Sequence, residues 1–338
     1  MNNKVFQRVS LAACCLAYFV IVLGAYVRLS DAGLGCPDWP GCFGQIIAPH
    51  QAHDISRAQD AFPHLEIDSG KAWKEMLHRY FASTLGFLIL IMAFLAWKNR
   101  HDIQQQVKLP FVLVGLVIFQ GLLGMWTVTQ LVRPTVVTLH LLTGLLTLSL
   151  LFWVFIKHKR LWYDTLKTTE INFTIKMLAK LSVVVLALQI FLGGWTSTNY
   201  VALHCPDFPT CQGVWLPQTN FSDAFVFFKD PGVNYEGGTL SLEAGITVHF
   251  MHRVGALLTA VTLFALSILI LMKVENHILR KQAVLLLGLL ITQISLGIAN
   301  VVLVLPIPIA VSHNAVAAAL LLCLVLLNYS LQNTLNKN

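Results

Sequence analysis

GCPDWPGC, Gly35–Cys42, returns 169 residues later as HCPDFPTC, His204–Cys211. Both stretches read Cys-Pro-Asp-aromatic-Pro-x-Cys, and the match does not stop at the cysteines. Leu23-Gly24 through Cys42 aligns without a gap on Leu192-Gly193 through Cys211. Leu113–His140 aligns on Leu286–His313 at an offset of 173, and His78-Arg79 on His252-Arg253 at 174. A shorter pattern, Gln-x-x-Leu-Gly, begins at Gln120, Gln189 and Gln293. Self-similarity at a near-constant offset over most of the chain is the mark of a duplicated unit.

The residues between these landmarks set the fold class. Of the 338 residues, 56% are hydrophobic and only 12% charged, about half the charge of an ordinary soluble domain. Apolar runs long enough to cross a bilayer as helices cover roughly 9–29, 73–97, 110–131, 136–156, 177–197, 247–272, 283–305 and 309–329. Lipid leaves backbone polar groups no outside partner, so such runs are helical. The expectation is an all-α polytopic membrane protein of eight transmembrane helices. They form two four-helix bundles, 1–160 and 170–338, related by a pseudo-twofold axis along the membrane normal.

Charge orients the chain. Fifteen of the 23 Lys and Arg fall on the side that holds both termini, among them Lys98, Arg100, Lys157, Lys159, Arg160, Arg280 and Lys281. The positive-inside rule makes that side cytoplasmic. Twelve of the 16 acidic residues lie opposite. The net charge of +7 is therefore a topology signal spread over short loops, and it does not point to nucleic acid. The first span follows a short MNNKVFQR segment and reads as an anchor, with no small-residue cleavage site. A bacterial inner membrane is the expected location, with the cysteine loops periplasmic.

An oxidising outer compartment permits disulfides. A six-residue separation with two prolines favours closure of each loop on itself, Cys36 with Cys42 and Cys205 with Cys211. A plain staple and a redox-active pair both fit. Cys14, Cys15 and Cys323 lie inside spans and read as small packing residues. The stretch 45–72, with His50, His53 and His64, reads as a solvated loop.

Histidine is the other signal. His78 and His140 fall about five residues into the second and fourth spans, and His252 and His313 take the matching places in the sixth and eighth. At ~1.5 Å per residue all four lie roughly 7 Å into the outer part of the bilayer. Ionisable residues inside spans are rare and face the bundle interior. Two imidazoles on facing helices suit six-coordinate heme iron, whereas zinc or copper wants further donors at the same point. Each unit is expected to hold one heme. Arg79 and Arg253 follow the paired histidines and read either as propionate partners or as snorkelling side chains. The units differ at one instructive place: Glu75 stands one turn before His78, and His249 one turn before His252. Glu75 reads either as the i,i+4 partner of Arg79 or Lys71 or as a carboxylate beside one heme only, which suggests that one heme is altered while the other carries electrons. A transmembrane b-type cytochrome that only passes electrons is the competing reading, and a heme transporter a second.

With the eight spans, ExxHR at Glu75–Arg79, the histidines at 140, 252 and 313 and the paired CPDxPxC loops, the chain resembles the heme A synthase family over essentially its whole length. The resemblance implies that a ring methyl of heme O is oxidised to a formyl group by successive hydroxylations, giving heme A for heme-copper terminal oxidases. It implies Glu75 as the catalytic residue, His78 and His140 as ligands of the substrate heme, and His252 and His313 as ligands of a heme B cofactor. Heme O synthase and terminal oxidase assembly factors are the implied protein partners, alongside membrane lipid. A homo-oligomer is compatible with it.

Overall fold

The computed structural model describes residues 2–102 and 105–337; residues 1 and 338, the outer bounds of the two expected units, lie outside them. Eight long helices are apolar enough to cross a membrane. They are α1 (Asn2–Leu29), α3 (Ser69–Lys98), α4 (Lys108–Thr129), α5 (Pro134–His158), α7 (Phe173–Thr198), α9 (Leu242–Lys273), α10 (His277–Val302) and α11 (Ile307–Gln332). Short helices α2 (Ala52–Ala61), α6 (Tyr163–Leu166) and α8 (Phe221–Ala224) lie in the connections. The chain is thus a multi-pass, all-α membrane protein, as its hydropathy requires.

The spans start where side chains satisfy the free amides of a first turn. Asp68 accepts from Lys71 N, Asn172 from Thr174 N, Ser241 from Ala244 N, and Asn276 from Ile278 N and Leu279 N. Proline, which needs no such partner, opens α5 and α11. Arg28, Lys98, Lys157 and Lys273 stand in the last turns, where they complement the helix dipole.

The helices pack as two rings. In the first, α1 lies against α3, α3 against α4, α4 against α5, and α5 against α1; α7, α9, α10 and α11 repeat that order. The rings meet where α1 packs on α11, α5 on α7, and α5 on α11. In lipid, hydrocarbon contact gives helices no preference for one another over acyl chains. Their association rests on close packing and interhelical hydrogen bonds worth about 1 kcal/mol each. Here those bonds include Tyr18 Oη to Ala315 O (2.9 Å), Asn328 Nδ2 to Ala179 O (3.1 Å) and the Thr138–Thr198 hydroxyl pair (3.1 Å). The large apolar core, with Ile89, Met92, Leu148, Leu151, Leu263 and Leu327, joins both rings.

A short parallel pair, β1 (Glu170–Asn172) and β2 (Leu335–Lys337), joins the stretch after α11 to the connector between the rings. Phe6 packs on His158 at the same end. The two cysteine loops lie at the other.

Candidate functional site

Both cysteine loops are closed by their own disulfides, Cys36–Cys42 and Cys205–Cys211. Cys14, Cys15 and Cys323 are free, with Cys14 and Cys323 buried and Cys15 exposed. Each loop is organised around its aspartate. Asp38 accepts from Phe43 N (2.6 Å) and Gly44 N (2.8 Å); Asp207 accepts from Gln212 N (2.7 Å), Gly213 N (3.0 Å) and the Thr210 hydroxyl. Phe43-Gly44 and Gln212-Gly213 turn through positive φ, which glycine tolerates at no steric cost. The Thr210 hydroxyl, aided by the two amides, holds the Asp207 carboxyl below the ordinary carboxylate range. A depressed pKa contributes stability that is present above the unfolded value and lost as pH falls through the folded one. Cys205–Cys211 should therefore be reduced by a fixed dithiol no faster at pH 5 than at pH 7, once thiolate concentration is matched. Its reduction should quicken only below about pH 4; peptide mapping after timed alkylation reads this.

The arginines hold the loops onto the helices, which neither reading of the sequence anticipated. Arg79 Nη1 donates to Asp38 O (3.0 Å), Pro40 O (3.2 Å) and Gly41 O, and Arg79 Nη2 to Glu75 Oε1 (2.5 Å). Arg253 donates to Cys205 O (2.7 Å), Asp207 O (2.8 Å) and Thr210 O (2.7 Å). Glu75 and His249 do matching work. Glu75 Oε2 accepts the Cys36 amide at 2.9 Å, and His249 Nδ1 accepts the Cys205 amide at 3.1 Å. Both side chains are buried. A carboxylate offers about four lone-pair sites, so Glu75 retains acceptor capacity beyond these contacts.

The four span histidines come together in pairs. His78 on α3 and His140 on α5 belong to the first ring of helices, and His252 on α9 and His313 on α11 to the second. Every ring is half-buried, and each lies with Cε1 against a glycine of an adjacent helix. A Cβ on Gly24 would meet the His78 ring at 2.9 Å, on Gly124 that of His140 at 3.7 Å, on Gly193 that of His252 at 3.0 Å, and on Gly297 that of His313 at 3.1 Å. α3 and α9 begin at Ser69 and Leu242, ahead of the expected 73 and 247, so polar residues extend these two helices outward beyond the apolar runs.

Three of these four glycines close the Gln-x-x-Leu-Gly pattern, whose role sequence reading missed. Gln189 Nε2 lies 3.0 Å from His252 Nδ1, and Gln293 Nε2 lies 3.2 Å from His313 Nε2. Gln120 turns instead to the His140 carbonyl (3.1 Å) and the Thr143 hydroxyl (2.5 Å). The α1 copy reads Val20-Ile21-Val22-Leu23-Gly24, and Val20 offers His78 only a backbone carbonyl. Glutamine side chains thus reach both rings of the second pair and neither ring of the first. The spacing of a polar residue four before a glycine on a helix facing each histidine was the available signal.

Buried Nδ1 atoms of His78, His140 and His313 have no partner among the described residues, and no group of three or more metal-ligating side chains occurs among them. Two imidazoles with unused nitrogens, each facing glycine backbone, fit a metal whose other donors come from a macrocycle. They do not fit a free ion that needs four protein ligands.

The junctions between rings also differ. An apolar cleft of about 290 Å³ opens between α1 and α11, lined by Phe19, Val22, Leu23, Tyr26, Ile307, Pro308 and Val311. Phe19 reaches Phe81 on α3, with ring centroids 4.9 Å apart. The matching α7–α5 junction is filled. There Phe227 lies on Trp195 at 5.1 Å and on Phe191 at 6.1 Å. The Phe227 carbonyl accepts from the Thr135 hydroxyl at 2.5 Å, and Trp195 donates to Ala224 O at 2.8 Å.

The stretch 45–72 is more ordered than a solvated loop. It contains α2, whose Ala58 packs with Phe43, Phe62 and Met76 over the first disulfide. His50 and His53 flank Asp54 at 3.6 and 3.0 Å.

Together these features define an eight-span integral membrane protein with half-buried histidines, two in each of two helical rings, each ring capped by a disulfide loop. The chain belongs to the COX15-CtaA family of cytochrome oxidase assembly proteins, whose family model matches residues 7–325. It is 47% identical over 312 residues to a heme A synthase of Shewanella oneidensis, covering 92% of each chain. It is 28% identical to a heme A synthase of Rickettsia bellii over 97% of this chain and 98% of that one. A heme A synthase of Halalkalibacterium halodurans is 25% identical, over 89% of this chain and 88% of the relative.

Proposed function

We infer that the chain is an oxidoreductase that converts heme O to heme A for cytochrome oxidase assembly. The carrier alternative is not favoured, because the relatives over nearly the full chain are heme A synthases. The observation that carries the division of labour is the contrast at one hydrogen-bonding position. Glu75 accepts the cysteine amide in the first ring and the neutral-capable His249 does so in the second.

In this reading His78 and His140 hold the substrate heme in residues 1–160, and His252 and His313 hold heme B in residues 170–338. When bound, heme B supplies a one-electron redox centre beside the substrate site. The chain's own residues supply the rest. Glutamines fix both rings of the retained site, while the rings of the exchanging site lack them. The open α1–α11 cleft beside Gly24 and the Phe227-filled junction beside Gly193 agree with one site that trades a lipophilic porphyrin and another that keeps one. Glu75 places a fixed negative charge at the first site, where a ring methyl becomes electron-poor as it is oxidised. That charge is better matched to the transition state than to the resting substrate. The packing list of the rings, unchanged when the halves are exchanged, supports their pseudo-twofold relation. The basic residues near Lys98, Lys157 and Lys273 support cytoplasmic termini and periplasmic disulfide loops in a bacterial inner membrane. Heme O synthase and terminal oxidase assembly factors are the natural donors and acceptors for such a product.

Heme extracted from purified protein and separated by chromatography tests this. Heme B together with heme O or heme A is expected; heme B alone, in an amount that fills both sites, would return the carrier reading. The glutamines make a separate forecast. Gln189→Val and Gln293→Val should each lower retained heme B severalfold after washing in detergent, with a shifted low-spin spectrum. Val20→Gln should instead raise the heme retained at the first site. Pyridine hemochrome content and absorption spectra read both.

A further inference from the structure

Past each disulfide, the loop carries a pair of large apolar side chains that are exposed. Ile46 and Ile47 are 83% and 52% exposed, and Trp215 and Leu216 are 70% and 82% exposed. They occupy matching positions at the 169-residue offset. Hydrogen bonds fix how far down the helices these tips sit. Tyr80 Oη donates to Ile46 O at 2.8 Å, and Arg79 holds the carbonyls just before it. Along α3, about 27 Å of helix separates Tyr80 from Lys98, and the hydrocarbon core is about 30 Å thick. Along α9, about 30 Å separates Arg253 from Lys273. Both loops are therefore docked level with the outer boundary of the hydrocarbon, and neither stands up in the water beyond it. Tyr80 also belongs to a stripe of α3 whose other members, Leu77, Phe81 and Thr84, are exposed, so the first tip continues the surface that the spanning helix turns to lipid.

Non-helical backbone at that depth must find its partners within the protein, and these loops do. The aspartate takes two amides at the turn. The arginine takes three carbonyls. Cys42 with Gln45, and Cys211 with Val214, exchange both of their backbone bonds. Aspartate and arginine spend their charges on the loop's own amides and carbonyls, and the most exposed large side chains at the tips include Ile46, Trp215 and Leu216. Tryptophan favours the interface at that level.

We propose that both disulfide loops are membrane-embedded, with Ile46, Ile47, Trp215 and Leu216 inserted among the upper acyl chains of the outer leaflet. The disulfide and the bonds made by aspartate and arginine give a compact unit whose backbone polar groups are partnered within the protein, which permits a turn to enter lipid.

The test uses the full chain in phosphatidylcholine–phosphatidylglycerol vesicles. With a phosphatidylcholine that carries a diazirine high on its acyl chain, photolysis of the wild-type protein should attach lipid to the peptides that contain 45–48 and 213–217. Single cysteines at the tips, Ile46→Cys and Leu216→Cys, are placed in a Cys14→Ala, Cys15→Ala, Cys323→Ala background. They should react with a charged, water-soluble maleimide many-fold more slowly than Ser56→Cys on α2. Reaction as fast as at Ser56→Cys would put the tips in water and overturn the proposal. So would tips that meet neither reagent, since a protein surface would then cover them. Lipid mapping needs no variant, so a tip cysteine that misfolds leaves the proposal open to refutation.

Discussion

Glu75→Gln should lower heme A formation by about 10²–10³, the usual worth of one electrostatic group aimed at developing charge. The protein should still insert and still bind heme, with heme O or a hydroxylated intermediate accumulating. The structure sharpens the interpretation, because Glu75 also anchors the first disulfide loop through the Cys36 amide and the Arg79 guanidinium. Glutamine that keeps its one carbonyl for the amide presents an NH₂ donor to Arg79. It also leaves that half-buried cation without its counter-charge, a costly situation. A purely structural role would therefore show as a Cys36–Cys42 bond that reduces faster than in the wild type. A chemical role shows as lost heme A with an unchanged disulfide. His249→Gln is the matched control: it preserves an acceptor for the Cys205 amide, and substantial activity should remain. Near-normal heme A from Glu75→Gln would reduce the carboxylate to an anchor for Arg79.

His252→Ala and His313→Ala should each abolish the low-spin heme of the second site while the protein accumulates in the membrane. The loss should be nearly complete, because each imidazole is one of the two ligands proposed for that site. Removing it also leaves a space against Gly193 or Gly297. The corresponding changes at His78 and His140 should spare that spectrum and remove heme O or heme A from the extract. Full heme content in either His252→Ala or His313→Ala would end the bis-histidine assignment.

Much of this architecture can be read from the chain before any coordinates, for definite physical reasons. Lipid forces long apolar runs into helices, so the eight spans follow from hydropathy. Duplication exposes His78 against His252 and Cys36 against Cys205. What hydropathy does not see is polar helix. Ser69-Gly70-Lys71 extends α3 outward because Asp68 caps it. α2 is a ten-residue polar helix without a side-chain cap, legible only through the packing of Ala58. Arg79 and Arg253 were misread because their partners are loop carbonyls, which carry no sequence signature. The glutamines were visible as a repeat but not as ligand-orienting groups, since their meaning lies in which histidine each helix faces. The fourth copy, with Val20 in that place, becomes informative only once Gly24 is found against His78.

The way the two rings meet has one more consequence. α1 carries the glycine beside His78 and packs on α11, which carries His313; α5 carries His140 and packs on α7, which carries the glycine beside His252. In the proposed two-heme reading, each partition between the sites is therefore made of the same helices that carry the histidines. An electron would then cross a party wall directly, at a rate set by the thickness of that wall rather than by the arrival of a diffusing shuttle.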